Sequence, residues 1–424
     1  MKKLLILLLA LFVCTALFAG GGSQGSGGTK EIRVLLANHP YGDVLKTAIP
    51  DFERDTGIRV IMESLQETQL TQKLTTEFAT GSSSIDVFMT RPLEETLLFN
   101  KNGWYAPLNA YDFSDYPANT VDIGRKGGVP HIVPIITEWQ VMYYRKDLLE
   151  KANLRVPTNF TELENAARVL NADGVAGFGS RGGANLAVTQ VSSYVYNYGG
   201  RYLDGNVAVF DKPEAMEAFR YYGKLLGNYG PPGVTSMSWN QLLALFQAGR
   251  LAMWTDASVF YGQIIDPEKT QIPRGDVGVA RLPAGPKNDS PFIVASWAMA
   301  IGHRTRDMDS AMRFLTWATS RDMALKGMAA DITMARTSLW SDPQVTSALN
   351  PGLVDTMIHA SQNGYPYDRP FMASVGKARD LIGEVIIETI NTRGASPRLQ
   401  ALATEKNNEV NNLLKADGEY GITR

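Results

Sequence analysis

The chain has 424 residues, of which 44% are hydrophobic and 20% are charged, and its formal net charge is -2. This balance is that of an ordinary globular protein, and the length predicts about two domains. Because no basic excess is available to hold a nucleic-acid backbone, nucleic acid is excluded as an expected partner.

The N-terminal segment has the pattern of a secretory signal peptide. Lys2 and Lys3 precede an apolar run from Leu4 to Val13, and small residues follow around Ala19. The run is too short for a membrane-spanning helix. We therefore expect residues 1–19 to be a signal peptide and residues 20–30 to be a flexible, glycine-rich linker of an exported protein.

The single cysteine, Cys14, lies inside this segment. Cleavage near Ala19 would release the protein into the periplasm, whereas acylation of Cys14 would tether it to the outer face of the membrane. The bulky Val13 stands where lipoprotein signals usually have a small residue, so the sequence favours cleavage and leaves the tether as the alternative.

From Glu31 onward, strand-like and helix-like segments alternate. Ile32–Leu36, Ile58–Met62 and Ile85–Met89 are short apolar runs, and the segments between them have helical spacing. This order predicts a parallel sheet with helices on its faces, and ligands bind such sheets beyond the carboxyl ends of the strands. We expect the site in the three loops that follow these strands, at residues 38–41, 64–68 and 90–94.

The alternation of strands and helices starts again near Glu138. Val141–Tyr144 is strand-like, Asn159 and Glu162 form a capping box for the next helix, and Lys377–Thr392 is a long helix. The restart predicts a second α/β domain.

Residues 177–182 read GFGSRG, which matches the glycine pattern of dinucleotide-binding loops. Such a loop must directly follow the first strand of a βαβ unit, whereas this one lies in the middle of the chain. We therefore expect no cofactor. The glycines are interpreted as shaping a loop that turns Arg181 and Asn185 toward a cleft.

Patterns of catalytic or metal-binding residues are weak. The four histidines have no metal-ligand spacing to another histidine, a cysteine or an acid, and no G-x-S-x-G elbow is present. Glu94 and Glu95 are expected on a solvated helix face, with Glu94 as the candidate to face a cleft. Paired carboxylates across a groove would indicate a glycoside hydrolase, and this alternative stays open.

Several aromatic residues lie near predicted strand ends, close to acids and arginines. The aromatic residues are Tyr41, Trp139, Trp254, Trp297 and Tyr365, and the charged residues are Glu138, Arg181, Asp256 and Arg336. Aromatic faces stack on the apolar face of a sugar, and charged groups form strong hydrogen bonds with its hydroxyl groups. The mixture predicts a neutral, polyhydroxylated ligand.

Six stretches of the sequence carry a family resemblance. They read FERDTGIRV, IDVF, YYRKDLLEKANLRVPTNFTELENAARVL, LFQAGRLAMWTDAS, SWAMAIG and AMRFLTWATS. In this order they resemble the extracellular solute-binding proteins of family 1, which serve carbohydrate ABC transporters. The segments LQETQLTQKLTTEFATG, SRGGAN, YGGRYLD and MWTDAS are similar to the sugar-alcohol-binding branch.

The resemblance implies an α/β fold of the two-lobed periplasmic-binding-protein class, type II. Each lobe would be a mainly parallel sheet flanked by helices, and a hinge would join the lobes. Lobe one would comprise residues 31–136 and 298–350, and lobe two residues 137–297 and 351–424. The chain would cross between the lobes near Pro134–Glu138, Ser296–Ala298 and Pro351.

The resemblance also implies a function without catalysis. The protein, expected to be a monomer, would capture a sugar or sugar alcohol in the cleft between the lobes and deliver it to the membrane permease of an ABC importer. A secreted glycoside hydrolase and a sensor subunit for a receptor are the alternatives. The expected ligand-binding residues are Asn38, Tyr41, Glu67, Arg336, Glu138, Trp139, Arg181, Asn185, Asp256 and Trp297.

Overall fold

A computed structural model describes residues 30–422. The predicted signal peptide, Cys14 and linker residues 20–29 lie outside the described residues. Lys30, predicted to be the last linker residue, instead opens the first strand and pairs with Ile58. Between residues 30 and 422, no helix combines the length and the apolar character needed to cross a membrane.

The described part of the chain is a mixed α/β structure. Its strands are β1 (Lys30–Ala37), β2 (Ile58–Leu65), β3 (Val87–Thr90), β4 (Arg125–Lys126), β5 (Val129–Pro130), β6 (Val133–Arg145), β7 (Leu203–Asp204), β8 (Val207–Ala208), β9 (Met253–Ala257), β10 (Val277–Arg281) and β11 (Ile293–Ile301). Its helices are α1 (Pro40–Thr56), α2 (Glu67–Ala79), α3 (Pro92–Asn102), α4 (Ala118–Asp122), α5 (Lys146–Lys151), α6 (Phe160–Leu170), α7 (Ala184–Asn197), α8 (Pro213–Tyr229), α9 (Trp239–Gln247), α10 (Tyr261–Ile264), α11 (Met308–Ala318), α12 (Arg321–Ala329), α13 (Thr337–Trp340), α14 (Pro343–Thr346), α15 (Pro351–Asn363), α16 (Val375–Asn391) and α17 (Leu399–Asp417).

The first three strands form the parallel sheet that the sequence predicts. β1 lies in the middle and pairs in parallel with β2 on one side and β3 on the other. β11 comes from much later in the chain and adds antiparallel to β3. The carboxyl ends of β1, β2 and β3 therefore meet at one edge of the sheet.

β6 is a long strand that takes part in two sets of pairings. Its first part pairs antiparallel with β11, and its second part pairs antiparallel with β9 and β10. The sheet of the second lobe is therefore mixed rather than mainly parallel, with parallel bridges from Ala176 to Leu251 and from Gly179 to Trp254. Hydrophobic patterning locates strands but does not give their direction, because direction depends on which neighbour each strand adopts.

The apolar cores divide the molecule into two bodies. The first core takes its members from Ile32 to Ile136 and from Trp297 to Leu339. The second core takes its members from Met142 to Leu282 and from Met372 to Leu414. A third cluster, which includes Trp139, Trp254 and Val294, packs beside the crossing strands β6 and β11. The α/β, two-lobed fold expected from the sequence is confirmed.

Local sequence explains how α1 is placed against the first core. Tyr41, Leu45, Ala48 and Phe52 share one face of the helix at helical spacing, and all four are buried. The helix ends at Gly57, whose φ of 69° lies in the left-handed region that favours glycine. This face fixes the start of α1, and with it the loop that follows β1.

Candidate ligand-binding cleft

A cleft lies between the two bodies, at the edge where β1, β2 and β3 end. Its space, including the part open to solvent, is about 1070 Å³. The residues that line it are Asn38, His39, Pro40, Glu67, Arg91, Leu93, Glu94, Glu138, Arg181, Leu186, Thr189, Trp239, Val259, Phe260, Gln263, Val294, Ala295, Ser296, Trp297, Asp368, Arg369 and Arg379. All three loops expected from the strand-end rule contribute to this wall.

Arg91 is a polar group on the lobe-one side of the cleft. It follows β3, and its guanidinium Nη2 donates to Thr71 Oγ1 at 2.7 Å. Its Nη1 lies 3.5 Å from Glu67 Oε2, and its Nε lies 3.5 Å from Glu95 Oε1. These contacts hold the Arg91 side chain across the ends of neighbouring parallel strands, where it faces the cleft.

His39 is held as a neutral imidazole at the start of α1. Its Nδ1 accepts a hydrogen bond from the Tyr41 N–H at 3.1 Å, which caps the helix. Burial lowers the pKa of His39 to about 4, against the opposing influence of Asp43. The proton of the neutral ring therefore lies on Nε2, which leaves this nitrogen able to donate a hydrogen bond.

Arg181 is a cation of the lobe-two side that one buried carboxylate holds in place. Its Nε and Nη2 atoms contact the Asp256 carboxylate at 3.0 Å and 2.5 Å. Asp256 is completely buried, and its Oδ1 also accepts from Gln190 Nε2 and from the Ala257 N–H. Burial disfavours the charged guanidinium, but Asp256 outweighs it and raises the Arg181 pKa. Asp256 therefore orients Arg181 from beneath.

The glycines of residues 177–182 let the loop before α7 pack closely enough to present Arg181. A Cβ at Gly177 would lie 1.9 Å from the Ala167 carbonyl oxygen, and one at Gly182 would lie 2.4 Å from that of Val234. Because only glycine avoids both clashes, these residues shape a loop, as expected from the sequence.

Glu138 lies in the crossing strand β6 and lines the cleft. Burial raises its pKa to about 7, although the Ser296 hydroxyl and Arg181 favour the ionised form. Among the described residues, Glu138 takes part in no ion pair. It is therefore a carboxyl group that faces the cleft and changes its charge near neutral pH.

We expect the Glu138→Gln variant to reveal this carboxyl group through the pH dependence of stability. Because burial raises the Glu138 pKa from 4.5 to about 7, the folded protein holds the proton more tightly than the unfolded chain does. The stability that Glu138 contributes is thus complete below pH 4.5 and is lost as pH rises to about 7. In melting curves of the ligand-free protein, the melting temperature of the variant should rise relative to that of the wild type as the pH increases over this interval. A melting-temperature difference that is constant with pH would contradict the assignment.

A carboxylate of lobe one reaches across the cleft to two arginines of lobe two. Glu94, in the first turn of α3, contacts both Arg369 and Arg379, and Arg369 also pairs with Asp368 at 2.6 Å. Burial opposes the ionisation of Glu94, but Arg369, Arg379 and Arg91 outweigh it and hold its pKa at about 2. Burial and the neighbouring Arg369 lower the pKa of Arg379 to about 10, so it is still a cation at neutral pH.

Aromatic rings form one wall of the cleft. Trp239 stacks on Phe260 with ring centres 5.2 Å apart, and Phe260 stacks on the fully buried Trp254 at 5.4 Å. Trp297 lies 5.9 Å from the His39 ring, at a point where the pairing of β11 with β6 shifts register. Such an irregularity re-aims side chains, which accounts for Trp297 on the cleft wall.

Residues 37–324 match the family of bacterial extracellular solute-binding proteins. This match covers more than half of the chain. The chain belongs to this family. The family is one of binding proteins, and the glycoside hydrolase alternative finds no support in the match.

Two curated relatives of this solute-binding protein are named for sugar alcohols. A mannitol-binding protein of Pseudomonas aeruginosa is 33% identical over 270 residues, which span 61% of each chain. The erythritol/L-threitol-binding protein of Mycolicibacterium smegmatis is 25% identical over 81% of this chain and 75% of its own length.

Solved structures share the two-lobed fold. An ABC transporter solute-binding protein of Agrobacterium vitis, solved with bound D-mannitol, matches with a TM-score of 0.77 at 24% identity, over 92% of this chain and 99% of that chain. A ribitol complex from Agrobacterium radiobacter matches with a TM-score of 0.79 at 23% identity, over 91% and 98% of the two chains.

Half of the predicted ligand-binding residues line the cleft of this solute-binding protein. They are Asn38, Glu67, Glu138, Arg181 and Trp297. Their role in binding stays a prediction. The other five do not line the cleft, for reasons that the packing makes clear.

Three of the five are held inside lobe one or beside the crossing strands. Tyr41 is completely buried, and its hydroxyl donates to the Ala318 carbonyl oxygen at 2.5 Å. Trp139 is also completely buried, with its Nε1 donating to Thr356 Oγ1 at 3.0 Å. Arg336 pairs with Asp115 at 2.8 Å, away from the cleft wall.

The remaining two lie near the cleft without lining it. Asn185 is on the outer side of the α7 start, where its Nδ2 donates to Asp380 Oδ1 at 2.7 Å. Its carbonyl oxygen accepts from Arg379 Nε at 3.1 Å. Asp256 lies beneath Arg181, and its carboxylate accepts hydrogen bonds from Arg181, Gln190 and the Ala257 N–H. Both residues therefore accept hydrogen bonds from arginines that line the cleft, Asn185 from Arg379 and Asp256 from Arg181.

Several residues that line the cleft do not stand out in the sequence. Glu94 is named there only as a candidate to face a cleft. The missed residues are His39, Arg91, Trp239, Phe260, Asp368, Arg369 and Arg379. One signal could have found His39 and Arg91, because both lie in the loops that the strand-end rule selects. Residues 368, 369 and 379 follow the last crossing of the chain and carry no local signal.

Among residues 30–422, no group of three or more histidine, cysteine or acidic side chains is arranged to hold a metal ion.

Proposed function

We propose that this protein captures a sugar alcohol in the cleft between its lobes and delivers it to the permease of an ABC importer. The observation that carries the proposal is the charge balance of the cleft wall, which holds four carboxylates and four guanidinium groups. Among residues 30–422, seven of the eight take part in ion pairs, the exception being Glu138. A cleft whose charges are already paired suits a neutral ligand with many hydroxyl groups.

The names of the relatives support the polyol class. Mannitol, erythritol and threitol appear in the names of curated relatives, and D-mannitol and ribitol are bound in solved relatives. Arginine and carboxylate groups can bind hydroxyl groups along an extended polyol, and Trp239 offers it an apolar wall.

The two bodies provide the means of capture. We place lobe one at residues 31–136 and 298–350 and lobe two at residues 137–297 and 351–424. The division of the apolar cores supports this placement, except that Trp297 packs in the first core. A ligand that contacts both lobes stabilises the closed form in proportion to its extra affinity for that form. The closed form would then dock on the permease. We place the mature protein in the periplasm, with a lipid tether through Cys14 as the alternative.

A binding screen tests the ligand class. Erythritol, ribitol and mannitol should be compared with glucose, fructose and maltose, first by thermal shift and then by calorimetry. We expect at least one sugar alcohol to bind with micromolar affinity, which corresponds to about -8 kcal/mol. The sugars should bind at least tenfold more weakly, which corresponds to a difference of about 1.4 kcal/mol.

Two outcomes would overturn the proposal. Tighter binding of a sugar than of every sugar alcohol would assign the cleft to another ligand class. Cleavage of maltose or a longer oligosaccharide by the pure protein would restore the hydrolase alternative, since a binding protein returns its ligand unchanged.

A further inference from the structure

A second cavity lies on lobe two, beside the cleft. We call it the side pocket, and its space, including the part open to solvent, is about 730 Å³. The residues that line it are Tyr196, Arg201, Tyr202, Leu203, Asp204, Gly205, Asn206, Tyr365, Tyr367, Arg369, Pro370 and Phe371. All of them belong to lobe two, and Arg369 lines the cleft as well.

The side pocket presents a connected group of aromatic rings. Tyr365 lies 4.1 Å from Tyr196 and 5.8 Å from Tyr367, measured between ring centres, and Tyr367 stacks on Phe371 at 5.6 Å. The Tyr196 hydroxyl donates to the Tyr367 carbonyl oxygen at 2.6 Å, which ties this loop to α7. The rings of Tyr365, Tyr367 and Phe371 are only partly buried, so part of this preformed aromatic surface faces the pocket.

Two side chains of opposite charge lie on the wall of the side pocket. Arg201 and Asp204 are both exposed, and neither takes part in an ion pair among the described residues. The guanidinium carbon of Arg201 lies 5.0 Å from the ring centre of Tyr365. The pocket therefore offers the hydrogen-bond donors of the Arg201 guanidinium and the acceptor oxygens of the Asp204 carboxylate, and the two groups do not pair with each other.

A tight hairpin fixes the position of Asp204. β7 and β8 pair directly across a two-residue turn, Gly205-Asn206, whose φ angles are 52° and 56°. Two positive φ values in succession are those of the turn that best fits a two-residue hairpin. Asn206 Nδ2 donates to the Glu419 carbonyl oxygen at 3.2 Å, so the hairpin is anchored to the C-terminal segment.

We propose that the side pocket is a second carbohydrate site, which takes a single sugar ring rather than an open-chain polyol. Aromatic faces stack on the flat apolar face of a pyranose, and an acyclic polyol has no comparable face. The guanidinium of Arg201 donates to the ring hydroxyl groups, and the carboxylate of Asp204 accepts from them. Because the side pocket lies within one lobe, it is open to a ring whether or not the cleft is occupied. This inference does not rest on the proposed function of the cleft.

Methyl glycosides of glucose, galactose and mannose are the probes for the test, because the methyl group locks each one as a ring. Saturation-transfer NMR on the full-length mature protein detects glycoside binding. Excess mannitol occupies the cleft, so the glycoside binding that remains in its presence is binding to the side pocket. We expect at least one glycoside to bind equally well in both conditions. Arg201→Ala and Asp204→Ala should each weaken glycoside binding by about tenfold, because each removes a charge-assisted hydrogen bond.

Arg250→Ala is the matched control, since Arg250 is also exposed and lies outside both cavities. It should leave glycoside binding unchanged. Melting temperatures of all three variants should equal that of the wild type, because the substituted side chains are on the surface. The absence of transfer to every glycoside would overturn the inference, as would full binding by both pocket variants. A failure of mannitol to bind concerns only the cleft.

Discussion

Substitution of Asp256 with alanine is expected to lower the free energy of unfolding by about 3 to 5 kcal/mol, because it leaves a buried guanidinium without its counter-ion. Asp256 is completely buried, and the Arg181 side chain that it holds is 11% exposed. The variant also leaves the donors of Gln190 and Ala257 without their acceptor. Denaturant unfolding of the ligand-free protein measures the loss directly.

A double variant separates the role of this pair in folding from its role in binding. Replacing Arg181 with methionine and Asp256 with leucine removes both charges, so stability should return to within about 2 kcal/mol of the wild type. Affinity for the polyol should still fall, because Arg181 faces the cleft. The exposed pair Arg281 and Asp355 is the control, and its removal should cost less than about 1 kcal/mol. Wild-type affinity in the double variant would show that Arg181 does not contact the ligand.

The sequence predicts the edge of the sheet that carries the lobe-one side of the cleft. Parallel strands place their carboxyl ends together, so the loops after β1, β2 and β3 could be selected from hydrophobic patterning alone. The same reasoning does not say which side chain in a loop faces the cleft. Tyr41 illustrates this, because its helical spacing from Leu45, Ala48 and Phe52 already indicates a core position.

Strand alternation also corrects the prediction for Trp139. Consecutive side chains of a strand point to opposite faces, so Glu138 and Trp139 in β6 do not face the same cavity. Glu138 faces the cleft, and Trp139 packs on Trp340 with ring centres 5.3 Å apart. When two adjacent residues of one strand are both predicted to line a site, the alternation alone therefore excludes one of them.

The rest of the cleft depends on tertiary contacts that no local pattern contains. Arg369 and Arg379 reach the cleft after the last crossing of the chain, some 280 residues beyond their partner Glu94. Glu94 and Glu95 show the same limit of local patterns, since both were expected on a solvated helix face, with Glu94 as the candidate to face a cleft. Glu95 is instead buried within lobe one, where it accepts from Thr90 and Thr71.

Glu94→Gln is expected to shift the ligand-free protein toward an open arrangement of the lobes. Glu94 joins α3 of lobe one to Arg369 and Arg379 of lobe two, and its side chain is only 10% exposed. Loss of its charge removes the one ion-pair partner that Arg379 has among the described residues and leaves Arg369 with Asp368 alone, which costs about 3 kcal/mol in the closed arrangement. That cost shifts the equilibrium between closed and open forms roughly a hundredfold. Small-angle X-ray scattering should show a larger radius of gyration.

Glu95→Gln is the matched control for this prediction. Glu95 is the next residue of the same helix and is 2% exposed, but its hydrogen-bond partners all lie within lobe one. Its substitution should lower the melting temperature without changing the scattering curve of the folded protein. Saturating polyol should return the Glu94 variant toward the compact curve, because a ligand that contacts both lobes favours closure. Identical scattering from both ligand-free variants would show that the contact between Glu94 and the two arginines does not hold the lobes together.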